Sequence, residues 1–127
     1  MGLLYTLLTS IFLTFQPAQT LPYSKLVTAF EQNNADAIVA LSKDKVLINI
    51  LGTEGAYSKS QAVLVLKDFF TKKPGNSFDF IFKGQESSEG SFSIGTYTSK
   101  SEKFRVTIHF KKIGGDFKIE SLSIEKS

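Results

Sequence analysis

Residues 104–126 read FRVTIHFKKIGGDFKIESLSIEK, and this stretch decides the fold. Its first half alternates strictly: Phe104, Val106, Ile108 and Phe110 fall on one side, Arg105, Thr107, His109 and Lys111 on the other. A period of two is the signature of a half-buried strand. Gly114-Gly115-Asp116 supplies a turn, and Phe117 and Ile119 open a second strand. The next apolar residues, Leu122 and Ile124, are one position out of phase. Such a slip predicts a β-bulge near Glu120-Ser121, and a bulge sharpens local twist. The hairpin therefore belongs to a strongly curved sheet.

Two further runs precede it. Phe78, Phe80 and Phe82 alternate with Asp79, Ile81 and Lys83; Phe92, Ile94 and Thr96 alternate with Ser93, Gly95 and Tyr97. The phenylalanine-rich sides are expected to face inward, with turns at Glu86 to Gly90 and Ser99 to Glu102. Upstream, Lys59 to Lys73 reads as an amphipathic helix whose inner stripe is Ala62, Leu66, Phe69 and Phe70. Ser58 or Ser60 caps it, Lys72-Lys73 suits its C-terminal dipole, and Pro74-Gly75 stops it. Before that lie a strand, Val46 to Leu51, with a turn from Gly52 to Gly55, and two short helices. The first spans Tyr23 to Asn33 with Ser24 as N-cap and Leu26, Val27 and Phe30 inward; the second follows Asn34 and turns Ala37, Ile38 and Leu41 to one face.

The order is thus helix, helix, strand, helix, then a four-strand meander: an α+β domain, its helices packed on a strongly curved antiparallel sheet. Twelve Phe and no Trp point to an interior filled by purely apolar rings. Residues 1–20 stand apart. Leu3 to Phe15 is as long as the apolar core of a signal peptide and too short to span a membrane. Ala18 and Thr20 fit the small residues of a cleavage site, although no Lys or Arg precedes the apolar run. An exported domain, periplasmic or extracellular, is therefore expected over residues 21–127, with no membrane span left after cleavage.

This order of elements resembles the nuclear-transport-factor-2-like superfamily, the cystatin-like cone fold also used by ketosteroid isomerase and scytalone dehydratase. The resemblance covers Tyr23 to Lys126. Within it, LVTAFEQNNADAIVALSKDKVLINILGTEGAYSKSQAVLVLKDFFTKKP and FRVTIHFKKIGGDFKIESLSIEK are similar to a family of small, signal-peptide-bearing bacterial proteins, mainly from Bacteroidetes. That family is known only as a domain of unknown function. The resemblance implies a fold and an export route and supplies no reaction.

Composition restricts the chemistry further. The net charge is +3, and Lys72-Lys73 and Lys111-Lys112 sit at element ends, so no basic stripe fits nucleic acid. One His and no Cys leave only carboxylates as metal ligands, and Asp36, Asp44 and Asp68 lack calcium-loop spacing. No glycine pattern cradles a phosphate, and no cofactor is expected. Enzymes of this cone fold keep an acid or base inside, whereas the expected inward positions here are apolar and Asp79 and His109 fall outside. No catalytic residue is assigned.

Two readings follow. In one, a non-catalytic binding domain holds a small hydrophobic ligand in its cone, with Phe30, Tyr57, Phe69, Phe80 and Phe110 as candidate ligand residues. In the other, the outer sheet face forms a homodimer or docks a partner through Ile81, Tyr97, Arg105, Thr107 and His109, with Lys83 and Lys111 at its rim. A pocket enzyme resembling ketosteroid isomerase is the alternative. Asn49, a lone polar residue in an apolar strand, is expected to tie down the following turn.

Overall fold

A computed structural model describes residues 21–127; the expected leader lies outside the described residues. Three helices, α1 (Tyr23–Glu31), α2 (Ala35–Ala40) and α3 (Lys59–Lys72), cover one face of a six-stranded sheet. The strands are β1 (Ser42–Ile50), β2 (Thr53–Ser58), β3 (Ser77–Lys83), β4 (Gly90–Ser99), β5 (Glu102–Ile113) and β6 (Asp116–Lys126). Their order is β2-β1-β6-β5-β4-β3, antiparallel throughout except where β1 runs parallel to β6. The curved α+β cone expected from the sequence is the observed architecture.

The bulge in β6 lies where the phase slip put it. His109 pairs with Ser121 and Phe110 with Ile119, leaving Glu120 as the extra residue of β6. Phe117, Ile119, Leu122 and Ile124 consequently all point inward in spite of their irregular spacing. A second bulge in β3 was not foreseen. Phe80 pairs with Gly95 and Phe82 with Ile94, so Ile81 is extruded and the strand changes face. It lies on an edge strand, where a bulge also discourages pairing with another sheet.

One strand escaped the sequence reading. The hairpin turn after β1 is Leu51-Gly52, both at positive φ, rather than Gly52 to Gly55. Asn49 Oδ1 accepts the Gly52 N–H at 3.0 Å and ties this turn as expected. Thr53 to Ser58 then pairs with β1 along its whole length. TEGAYS carries no apolar alternation and little β propensity, so only its pairing makes it a strand.

The longest helix follows its sequence signals; α1 buries Leu26, Ala29 and Phe30 rather than Val27, and α2 buries Ala35, Ile38 and Val39, with Ala37 and Leu41 only partly covered. Ser58 caps α3 through a reciprocal capping box: Ser58 Oγ accepts the Gln61 N–H and Gln61 Oε1 accepts the Ser58 N–H. Ala62, Leu66, Phe69 and Phe70 form its buried stripe. Asn34 caps α2 through the Ala37 N–H. Ser24 does not cap α1: the helix begins at Tyr23 after Pro22, with no side-chain cap. Ser58→Ala should cost about 1 kcal/mol of stability, read as a lower urea midpoint at unchanged slope.

The interior is closed by aromatic rings. Phe30 stacks on Phe78 at 4.4 Å between centroids, and Phe69 meets Phe104 edge-on at 5.4 Å. The void beside Ile38, Val46, Ile48 and Leu66 holds only about 10 Å³. Gly95 is the reason the rings fit. A Cβ there would lie 2.4 Å from Phe78 Cζ, and Phe78 is locked against Phe30. Gly95→Ala should therefore destabilise by about 1–3 kcal/mol through overpacking, measurable by urea unfolding.

Candidate functional site

The two candidate surfaces are separated by one strand whose orientation differs from the sequence expectation. In β4 the inward residues are Ser93, Gly95, Tyr97 and Ser99; Phe92 is exposed, with Ile94 and Thr96 beside it on the outer face. The expectation weighed each residue's own hydrophobicity. What decides is the neighbouring strand: the ring of Phe78 lies directly over Gly95, where a residue with a Cβ would leave it no room.

Two residues read as part of the outer face lie elsewhere, Tyr97 through the orientation of β4 and Lys83 through the bulge in β3. Tyr97 is completely buried, and its hydroxyl donates to the Lys73 carbonyl at 2.8 Å while accepting from Asn33 Nδ2 at 3.0 Å. Lys83, past the β3 bulge, swings to the inner side, where its ammonium lies 4.7 Å from the centre of the Tyr23 ring. Ile81 stays exposed at the sheet edge rather than at the centre of the face. Arg105, Thr107 and His109 point outward on β5.

The outer face has an apolar ridge and a polar groove. On the ridge, Phe82 and Phe92 lie 5.2 Å apart and are 46% and 39% exposed, and His109 stacks on Phe92 at 5.6 Å. Phe82 belongs here because of the bulge, although the alternation placed it inside. The groove, about 350 Å³, is floored by Leu47, Asn49, Thr107, Ser121 and Ser123, with Glu54 and Glu125 beside it. Asp79 is exposed.

The five candidate ligand residues do not share one cavity. Phe30 and Phe69 are packed into the ring cluster, where Phe30 meets Phe70 and Phe69 meets Tyr97. Tyr57 lies over Gly55 and lines an open groove with Leu51, Leu64 and Val65. Phe80 and Phe110 both meet the ring of Tyr23, at 4.9 and 6.4 Å. Sequence reasoning missed Tyr23 and Ser93, which face each other there. Their hydroxyls are shielded from solvent and make no hydrogen bond. The alternating small residues of β4 were the signal that could have found Ser93.

Burial raises the Tyr97 phenol above its ordinary value near 10, against the lowering effect of the Asn33 and Gly75 contacts. A phenol raised in the folded state contributes stability below pH about 10 and loses it as pH climbs through the folded value. Tyr97→Phe should cost about 1–3 kcal/mol at neutral pH and flatten the loss of stability above pH about 10, followed by urea unfolding across pH.

Among the described residues, no three His, Asp or Glu side chains gather as a metal site, and no helix is long and apolar enough to cross a membrane. No curated protein matches the chain. Solved structures do. A DUF4783 family protein from Bacteroides ovatus is 28% identical, with 87% of this chain and 98% of that one covered at a TM-score of 0.78. A cystatin-like domain of unknown function from Nostoc punctiforme is 14% identical, covering 83% of this chain and 72% of that one at 0.65. A ketosteroid isomerase-like protein from Erwinia carotovora atroseptica is 17% identical, covering 82% and 89% at 0.65, so the likeness there is one of fold. The profile of the domain of unknown function DUF4783 matches residues 23–125, nearly all of the described chain, and the protein belongs to that family.

Proposed function

We propose that this domain is a non-catalytic interaction module that pairs with a second copy of itself through the outer face of its sheet. The observation that carries the reading is the Phe82–Phe92–His109 stack, two large rings left half in water by a domain whose interior is already filled. Aromatic groups exposed together are the usual anchors of a protein contact.

Charge supports a second copy as the partner. Arg105 and Lys111 flank the ridge, while Glu54 and Glu125 flank the groove on the same face. Arg105 and Glu125 are register partners across β5 and β6 without closing to an ion pair. A twofold axis through the face would set each basic-flanked ridge against the other copy's acidic-flanked groove, satisfying both contacts at once. Export is part of the same reading and rests on the Leu3 to Phe15 run with Ala18 and Thr20 behind it.

Light scattering on the purified protein at tens of micromolar should return a dimer mass. Phe92→Glu should weaken the dimer by about 30-fold or more, the effect of burying a charge at an anchoring ring, with the thermal midpoint nearly unchanged. A monomeric wild type, or a Phe92→Glu protein that dimerises as well, would overturn the proposal. Tyr97 is unsuitable for this test, since it lies in the core.

A further inference from the structure

The inner face holds one polar feature that packing does not explain. Ser93 is fully buried with an unpartnered Oγ, and the Tyr23 hydroxyl opposite it is equally shielded and equally unpartnered. Buried hydroxyls nearly always find a partner; these two approach closely enough to interact yet are held short of hydrogen-bond distance. Tyr23 opens α1, so the helix fixes where its hydroxyl can reach.

The surroundings form a slot for one ring. Phe80 meets Tyr23 edge-on at 4.9 Å, Phe110 does so at 6.4 Å, and the Lys83 ammonium covers the ring face. Lys83 takes part in no ion pair among the described residues. Glu86 also acts on Tyr23: burial first and this carboxylate second raise the phenol, and a long, weak hydrogen-bonding interaction with the Ser93 hydroxyl offsets part of the rise. The phenol is therefore neutral, and the rim carries one charge of each sign.

We propose that this slot is a ligand site plugged by the chain's own Tyr23 ring. Its ligand is a small molecule with one six-membered ring and one oxygen-bearing polar group. The ligand's ring takes the space between Phe80 and Phe110, its oxygen pairs with Ser93 Oγ, and Tyr23 is displaced outward. An untethered ring can slide into hydrogen-bond geometry with Ser93; the tethered one is held short of it. The size limit follows from the packing, since the space released is that of the plug.

The test is amide NMR of the purified ¹⁵N-labelled protein titrated with p-cresol, benzoate and toluene. The first two carry a neutral and an anionic oxygen group; toluene carries the ring alone. Saturable shifts at Phe80, Ser93 and Phe110 are expected, with p-cresol or benzoate bound at least about tenfold more tightly than toluene, the effect of one net hydrogen bond. Ser93→Ala should abolish that preference. Tyr23→Ala should tighten binding by removing the plug, and Tyr23→Phe, which retains a ring without the unpaired hydroxyl, should weaken it. Phe92→Glu should leave all of this unchanged, so the site stands or falls apart from the dimer. No saturable shift at these residues, or an oxygen preference that survives Ser93→Ala, would overturn the proposal. An ordered water joining Ser93 and Tyr23 in a protein that binds none of the probes would do the same.

Discussion

The Asn33–Tyr97 contact is the polar tie within the aromatic cluster that joins α1, α3 and the sheet. Asn33 takes the left-handed conformation, φ 52°, at the corner between α1 and α2. From there its two amide N–H groups are shared among the Phe30 carbonyl, the Gly75 carbonyl and the Tyr97 hydroxyl. Tyr97 in turn donates to the Lys73 carbonyl at the end of α3. One helix corner, the end of another helix and the middle of the sheet are thereby fixed by polar groups within an apolar cluster. Such groups cost free energy when unpaired, so the network specifies a single arrangement where rings alone would tolerate several.

The aromatic packing depends on that arrangement. With Tyr97 pointing inward, Gly95 and Ser93 must point inward too, because β4 alternates. Gly95 opens the space that Phe78 fills, and Phe78 carries the stack on Phe30. The same alternation sends Phe92 outward, where it meets Phe82 and His109. The filled interior and the exposed aromatic ridge are therefore two consequences of one strand orientation. So is the unpaired Ser93 hydroxyl at the end of the cone where α1 begins.

The Nostoc and Erwinia structures share this chain's fold at 14% and 17% identity. In this chain the strand register is interrupted at Glu120 of β6, at Ile81 of β3 and between Ser42 and Leu47 of β1, and interruptions of this kind raise the local twist. A cone made in this way has an inner face and an outer face, and either can be turned to use. Here the rings of α1, α3 and β3 occupy most of the inside, which shifts the weight of the functional argument to the outside and to the one inner slot that retains unpaired polar groups.

By itself the sequence determined whatever local periodicity controls. The α3 stripe Ala62, Leu66, Phe69 and Phe70, its Ser58 cap, the strict alternation of β5 and the phase slip in β6 were all legible, because each is a property of consecutive residues. Membership in a cone-shaped class followed from their order. What only the tertiary structure decided was which side of a two-sided strand faces in. In β4 the side carrying Phe92 and Ile94 lost to the side carrying Ser93, Gly95 and Tyr97, because the Phe78 ring of β3 takes the space over Gly95 and Tyr97 is held by polar groups of the helices. The bulge at Ile81 likewise depends on pairing with β4, and β2 exists only as the partner of β1. Hydrophobicity ranks side chains one at a time; the face they take is set by volume already claimed by residues elsewhere in the chain.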